Sequence, residues 1–235
     1  DVLNSYLEKF QYWDLLPDEL IIINTSSYSI NLKENFYNFL KNKNINIKIL
    51  NKKNHYPGAA RNAGISESSN KFIAFLDINT NPSNKWLKDS KKMIDFSNAD
   101  GVFGKTKYIG SNKKEKLIIA STYGFEPIET LPGSLFKKKV FNINGLFIED
   151  VRAGEDTDWI DRLKLRNINI ISNNSILDYS GIIGTSYIKV LKKWYRNYLS
   201  ASKLPYSIKN ENIYFYTLSA LLILLSYNWN SIYAK

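Results

Sequence analysis

The sequence predicts an α/β fold in which a mostly parallel central sheet is flanked by helices and followed by a C-terminal helical extension. Short apolar runs are typical of strands buried in a parallel sheet. Segments with apolar residues three and four positions apart alternate with them, and the connections are short. The 235 residues are enough for one good core with a short appendage, or at most for two small domains. We therefore expect a domain over 1–205 and an apolar, aromatic-rich helix over 206–235.

Helical and strand patterns alternate along the first part of the chain. The predicted segments are helix 2–16, strand 20–23, helix 32–40, strand 45–49, helix 59–68 and strand 72–76. Gly and Pro interrupt residues 101–147, which predicts mixed short strands and loops, and helical spacing returns over 156–165 and 188–199. Ligands of such sheets lie outside the carboxyl ends of the strands, so polar residues there are the first candidates for a site.

The end of the chain is different in kind. No charged residue lies between Glu211 and Lys235, and 218–225 is almost wholly apolar. A membrane span needs about 20 predominantly apolar residues. The tail has this length, but it contains several Asn and Ser and is rich in Tyr and Trp. Two interpretations stay open, namely a membrane-contacting span or interfacial helix, and a helix that packs on the domain or on a partner.

Composition excludes several kinds of site. The chain has no cysteine and a single histidine, His55, which excludes disulfides, thiolate metal sites, Cys nucleophiles and His-rich metal cages. The 32 Lys and Arg against 22 Asp and Glu give a net charge of +10, which permits an anionic partner. The lysine runs are short and separated, and the motifs of nucleic-acid-binding modules are missing, so we expect no nucleic acid partner.

The first of three segments that could carry chemistry is the small-residue stretch 57–65, which opens a predicted helix. A helix N-terminus favours an anion, and Arg61 supplies a planar fork that could clamp a phosphate. The alternative is a tightly packed helix with an exposed arginine.

The second segment ends an apolar strand at Leu76 and continues as Asp77-Ile78-Asn79. Strand alternation puts Asp77 and Asn79 on one face, where two hard oxygens could hold a divalent cation or a ribose hydroxyl. The alternative is a simple turn before Pro82.

The third segment, 153–159, opens a helix with Glu155, Asp156 and Asp158 in its first turn. Acidic residues there are favoured by the helix dipole, so plain capping is one interpretation. The other is that Asp156 is a general base at the rim of a site.

In this order and spacing, the three segments resemble a family 2 glycosyltransferase with the GT-A fold. Ala60-Arg61-Asn62-Ala63-Gly64 is similar to the family's helix start, and Asp77-Ile78-Asn79 is similar to its Asp-x-Asp metal motif. Gly133-Ser134 through 144–147 resembles the acceptor-side segment. Glu155-Asp156 with downstream Arg162 resembles the family's Glu-Asp helix.

The resemblance implies inverting transfer of a sugar from a nucleotide-diphospho-sugar donor to an acceptor hydroxyl. Asp156 would be the base, and Glu155 beside it would shape the acceptor site. Asp77 and Asn79 would hold the ribose and a Mg²⁺ or Mn²⁺ ion on the diphosphate. The remaining expected contacts are Asn24, Ser26, Arg61 and Asn62 with the donor, and Gly133, Ser134 and Trp159 with the acceptor.

The chain departs from the family pattern in four places. Where the family often has Asp at the end of its second strand, this chain has Asn24-Thr25-Ser26-Ser27. The strand that normally comes first is missing, so either the chain is an excerpt of a longer protein or the sheet lacks that strand. Asn79 replaces the second carboxylate of the metal motif, which predicts weak metal binding. Tyr179 stands where a late His ligand is usual, and Asp178 beside it could compensate.

Two other functions stay open. A non-catalytic relative could bind a nucleotide-sugar or a glycan, and an unrelated α/β protein such as a nucleotidyltransferase would share the phosphate-binding logic. For a transferase, we expect a glycan or lipid-linked acceptor used in the synthesis of a surface polysaccharide or glycolipid. We expect a cytoplasmic protein, peripheral at the inner face of the cell membrane where it contacts a membrane surface.

Overall fold

The protein was analysed as a computed structural model that describes residues 2–204 and residue 222. The helices are α1 (Val2–Leu7), a 3₁₀ helix (Glu8–Tyr12), α2 (Glu34–Asn42), α3 (Pro57–Glu67), α4 (Trp86–Ser97), α5 (Lys113–Thr122), α6 (Lys139–Asn144), α7 (Glu155–Leu165) and α8 (Tyr187–Ala201). The strands are β1 (Glu19–Asn24), β2 (Asn46–Asn51), β3 (Phe72–Ala74), β4 (Thr80–Asn81), β5 (Gly101–Tyr108), β6 (Ile128–Lys137) and β7 (Ile170–Tyr179). The tail predicted over 206–235 lies outside the described residues, apart from residue 222.

The α/β prediction is confirmed, but the sheet is mixed rather than mostly parallel. β1 and β2 form a parallel pair, and the other strands form a five-stranded sheet in the order β3-β6-β5-β7-β4. β6 lies between β3 and β5 and is antiparallel to both, whereas β5 and β7 are parallel. The carboxyl ends of β3, β5 and β7 therefore meet at one edge. The sequence pattern does not predict the direction of β6, because strand direction depends on pairing between distant segments rather than on local periodicity.

The first predicted helix is shorter than expected. Residues 2–16 form α1 and a single 3₁₀ turn that ends at Tyr12, and Trp13 then continues in an extended conformation. Leu7, Phe10 and Trp13 pack into the same hydrophobic cluster as residues of β1, β2 and α2. This N-terminal segment covers the two-stranded sheet.

An aromatic cluster fixes α7 against the larger sheet. Trp159 of α7 is fully buried, and its ring lies 5.2 Å from that of Phe136 in β6 and 4.9 Å from that of Phe147. Phe75, directly after β3, packs edge-on against Phe147 at 6.0 Å. Burial of such large rings stabilises the fold through apolar area and specific ring geometry. The cluster joins the end of β3 to the helix that carries Asp156.

A smaller apolar cluster joins α5 to α8 and includes Tyr108 and Tyr123. Across the part of the chain that the structure describes, no helix is both long and apolar enough to cross a membrane.

Candidate active site

Asp77 and Asn79 lie together in the turn that follows β3. Asp77 Oδ1 accepts hydrogen bonds from the Asn79 backbone N–H at 2.8 Å and from its side-chain Nδ2 at 3.0 Å. The turn closes with the Thr80 N–H donating to the Asp77 carbonyl at 2.9 Å. The interactions of the described residues leave Asp77 Oδ2 and Asn79 Oδ1 without a hydrogen bond, and both residues are partly exposed. These two hard oxygens are available to a ligand.

The two oxygens suit a cation that takes its other ligands from a substrate. Within residues 2–204, no three His, Asp or Glu side chains converge as metal ligands, and a role for Asp178 beside Asp77 and Asn79 stays a prediction. Asp178 is exposed and pairs in register with Asn81 of β4. Mg²⁺ is typically held by one or two carboxylates together with water and substrate phosphates. Asp77 and Asn79 fit that arrangement.

Three tyrosines form an aromatic wall at the same edge of the sheet. Tyr108 and Tyr179 end the parallel strands β5 and β7 in register. Their ring centroids are 5.0 Å apart, and Tyr123, just after α5, stacks on Tyr108 at 3.9 Å with an interplanar angle of 7°. Each ring is only partly buried, so part of the wall is exposed to solvent. We call Tyr108, Tyr123 and Tyr179 the tyrosine wall.

The charges of Asp77 and Asp156 both act on the phenol of Tyr108. Burial raises the pKa of Tyr108, and the neighbouring phenols raise it further. The negative charges of both Asp156 and Asp77 add to this rise, so both carboxylates lie within electrostatic range of Tyr108. Burial, with the charge of Asp77, also raises the pKa of Tyr179 to about 12. The strand end that carries Asp77 and the helix start that carries Asp156 therefore both lie in the electrostatic neighbourhood of Tyr108.

Asp156 lies in the first turn of α7, which begins after Gly154 in the left-handed conformation (φ 89°). Its neighbour Glu155 is buried, with Oε1 2.5 Å from Arg61 Nη1 and with Oε2 unpartnered. Burial raises the pKa of Glu155, and the charge of Asp156 raises it further, whereas Arg61 lowers it. The two adjacent carboxylates therefore differ in environment, since Glu155 is buried and paired with Arg61, whereas Asp156 is partly exposed.

Helix α3 holds the segment that leads to α7. The buried side chain of Asn62 accepts a hydrogen bond from Phe147 N–H at 3.0 Å, and it donates to Phe147 O and to Glu149 Oε1, both at 2.8 Å. The Arg61 guanidinium lies 5.4 Å from the centre of the Phe147 ring. Because the buried side chain of Asn62 makes these three hydrogen bonds, the predicted contact between Asn62 and the nucleotide-sugar donor is not supported. Asn62 positions the 147–149 segment, and Arg61, although partly exposed, pairs with Glu155.

Asn24 and Ser26 lie at the carboxyl end of β1, where their hydrogen bonds are made locally. Asn24 Nδ2 donates to Tyr28 O at 2.7 Å and to Asn51 Oδ1 at 3.0 Å, and Asn24 Oδ1 accepts from Ser26 Oγ at 2.8 Å. Asn24 is buried, whereas Ser26 is exposed. Asn24 therefore shapes the loop, and donor contact at this end of the small sheet stays a prediction for Ser26.

Direct acceptor contact is not supported for Gly133, Ser134 and Trp159, because all three are buried. Ser134 Oγ donates to Thr130 O at 2.7 Å and accepts from Gly104 N–H at 2.8 Å. Trp159 Nε1 donates to Gly145 O at 2.9 Å. Gly133 has φ 84°, and a Cβ there would overlap a neighbouring leucine. These residues belong to the buried scaffold of β6 and α7.

Sequence reasoning noticed Tyr179 by its position but missed Tyr108 and Tyr123. The signal that could have found Tyr108 is its place at the end of the segment 101–108, which forms β5 in the structure. Tyr123 joins the wall only because α5 folds back over β5.

Known proteins share this fold and sequence pattern. An uncharacterized glycosyltransferase of Rickettsia felis is 33% identical over 146 residues, which cover 57% of this chain and 22% of the relative. Another, from Rickettsia bellii, is 30% identical over 186 residues, which cover 71% of this chain and 24% of the relative. The chain thus spans under a quarter of the length of these curated relatives.

Two solved structures with low sequence identity share the fold. A crystal structure of S. aureus TarS 1-349 is 20% identical with a TM-score of 0.51, covering 75% of this chain and 58% of that one. The mannosyltransferase PcManGT from Pyrobaculum calidifontis is 10% identical with a TM-score of 0.54, covering 86% and 61%. These matches confirm the predicted GT-A fold. The family model described as glycosyl transferase family 2 matches residues 1–149, and the chain belongs to that family.

Proposed function

We propose that the protein transfers a sugar from a nucleotide-diphospho-sugar to an acceptor hydroxyl in the cleft beside the tyrosine wall. The observation that carries this proposal is that Asp77 and Asp156 both act on Tyr108 at the edge where β3, β5 and β7 end. We infer that an oxygen pair suited to a diphosphate-bound cation shares a cleft with the separate, partly exposed carboxylate of Asp156. In glycosyl transfer by direct displacement, a cation can stabilise the leaving diphosphate while a base takes the proton of the acceptor hydroxyl.

Asp77 and Asn79 would hold Mg²⁺ or Mn²⁺ together with the donor diphosphate. PcManGT, which shares the fold, has been solved in complex with GDP-Man and Mn²⁺. A bound cation would neutralise the negative charge that develops on the nucleoside diphosphate as it leaves. Within the chain, Asp77 Oδ1 accepts the turn hydrogen bonds, so Asp77 Oδ2 and the Asn79 amide oxygen would be the atoms that contact the cation.

Asp156 would act as the general base. Its carboxylate accepts the proton of the acceptor hydroxyl while the acceptor oxygen forms a bond to the anomeric carbon. The bond from that carbon to the diphosphate oxygen breaks, and the nucleoside diphosphate departs with the bonding electrons. A single displacement of this kind inverts the anomeric centre. The Arg61–Glu155 pair fixes the start of α7 and so aims Asp156.

The tyrosine wall would border the bound sugars. Ligand pockets are lined mainly by apolar and aromatic surface with few polar groups. The stacked pair Tyr108–Tyr123 would present such a surface near Asp77 and Asp156, whose charges both act on Tyr108. We infer that an acceptor, either a glycan or a lipid-linked sugar for a surface polymer or glycolipid, lies along it.

The proposal is tested by measuring nucleoside diphosphate release and product formation with a panel of nucleotide-sugars and acceptors, with Mn²⁺ present. Asp156→Asn should lower kcat by about 10²- to 10⁴-fold, the usual contribution of a general base. Asp161→Asn is the matched control, because Asp161 lies on the same helix and is half-exposed, and it should leave turnover unchanged. Unchanged turnover in Asp156→Asn would refute the assignment. Donor binding without transfer across the panel would instead favour a non-catalytic relative.

A further inference from the structure

Helix α8 buries one narrow face and leaves an apolar face exposed. Val190 and Trp194 pack inward into the cluster that contains Tyr108 and Tyr123. Six large side chains of the same helix are between 41% and 69% exposed, namely Tyr187, Ile188, Leu191, Tyr195, Tyr198 and Leu199. Since helix residues are about 100° apart, these six share a face roughly 120° wide. A contiguous exposed apolar face of this kind is typical of an interaction site.

The rest of the exposed surface of α8 is cationic. Lys189, Lys192, Lys193 and Arg196 fall in the next sector of roughly 100°, directly beside the apolar face. The helix contains no Asp or Glu. Three of the four cations are exposed and Lys193 is partly exposed. An apolar face with tyrosines at one margin and cations at the other matches a helix that lies in a membrane interface.

Hydrogen bonds at both ends fix α8 on the domain. The preceding loop is held by Glu115 of α5, whose Oε1 accepts from Gly184 N–H at 2.8 Å. Near the other end, Ser200 Oγ accepts from Arg152 N–H at 2.6 Å, four residues before Asp156. The helix therefore presents its apolar face outward at a fixed position beside the proposed cleft.

We propose that α8 is a docking surface for an anionic lipid bilayer. Each Lys or Arg near such a surface adds attraction to anionic headgroups, and the apolar side chains enter the acyl boundary. A second copy of the chain fits less well, because a twofold contact through this face would bring two sets of four cations together. Docking would place the cleft at the lipid surface, within reach of a lipid-linked acceptor.

The test is co-sedimentation of the 235-residue chain with vesicles of phosphatidylcholine alone and of phosphatidylcholine mixed with phosphatidylglycerol. The chain should bind the anionic vesicles much more strongly. The double variant Lys192→Gln/Arg196→Gln should weaken that partitioning by roughly thirtyfold, and Leu191→Ser by about tenfold or more. Lys92→Gln and Phe96→Ser on α4 are the matched controls, since both residues are exposed, and binding should be unchanged.

Vesicle binding is measured without donor or acceptor, so the result does not depend on sugar transfer. Equal binding to neutral and anionic vesicles would overturn the proposal. The proposal would also be overturned if the α8 and α4 variants lost vesicle binding equally while their thermal unfolding stayed unchanged. A wild-type dimer that becomes a monomer in Leu191→Ser, with vesicle binding unaffected, would assign the face to a second copy instead.

Discussion

Gly58 is the residue at which α3 touches the segment that leads to the proposed base. A Cβ there would lie 2.0 Å from the carbonyl oxygen of Ile148 and 3.0 Å from its carbonyl carbon. Ordinary contacts begin at 3.4 Å, so Gly58→Ala must move α3 and the 147–149 segment apart by more than 1 Å. That segment is held by three hydrogen bonds to Asn62, each worth about 1 kcal/mol. Overpacking costs about 1–3 kcal/mol in its own right.

Gly58→Ala should lower the free energy of unfolding by about 2–4 kcal/mol through this overlap. The higher helix propensity of Ala offsets up to about 1 kcal/mol of that loss. Gly64→Ala in the same helix is the control, because its Cβ would meet Ile23 at 3.7 Å, an ordinary contact. That variant should be more stable than the wild type by up to about 1 kcal/mol. Urea unfolding followed by tryptophan fluorescence, with unchanged m-values, measures both. Equal stability of the two variants would refute the close approach of α3 to Ile148.

Two other predictions concern titrating groups. Hydrogen bonds from Gly184 N–H and from Ser111 lower the pKa of Glu115 from 4.5 to about 2. The ionised Glu115 side chain therefore stabilises the fold fully above its unfolded pKa, and this stabilisation is lost as the pH falls towards 2. Glu115→Gln should therefore lower Tm at pH 7, and the difference in Tm from the wild type should shrink between pH 4.5 and 2. The control Glu126→Gln, at an exposed position, should have the Tm of the wild type. A Tm difference for Glu115→Gln that stays constant with pH would contradict this prediction. Arg61→Met should leave Glu155 buried without its cation, further raise the pKa of Glu155 and cost about 3 kcal/mol or more at pH 7. A carboxyl group with a raised pKa is protonated in the folded state at low pH, where it no longer carries an unpaired charge. The loss of stability in Arg61→Met should therefore diminish on acidification. A loss of stability that grows on acidification would contradict the ion-pair role.

The parts of the site that depend on local pattern could be predicted from the sequence. The apolar run that ends at Leu76 predicts where Asp77 and Asn79 lie, and the helical spacing from 156 predicts α7. The contact between Asp77 and Asn79 was expected from alternation, although in the structure it arises from a turn in which Asn79 donates to Asp77.

The remaining features depend on packing between distant segments. The direction of β6 follows from pairing with both β3 and β5, which no local period encodes. Ser134 and Trp159 lie in motif-like segments, but a motif does not reveal which face of an element is buried. Tyr108 and Tyr123 come together only when α5 folds over β5.

The central claim is that one cleft holds the donor at Asp77 and the base at Asp156. Calorimetric titration of a donor that the wild-type protein accepts, with Mn²⁺, tests it most directly when Asp77→Asn and Asp156→Asn are compared. Asp77→Asn should weaken donor binding by about tenfold or more, because it removes the charged ligand of the cation–diphosphate pair. Asp156→Asn should retain the wild-type affinity while losing transfer. Wild-type donor affinity in Asp77→Asn, or wild-type transfer in Asp156→Asn, would contradict the account.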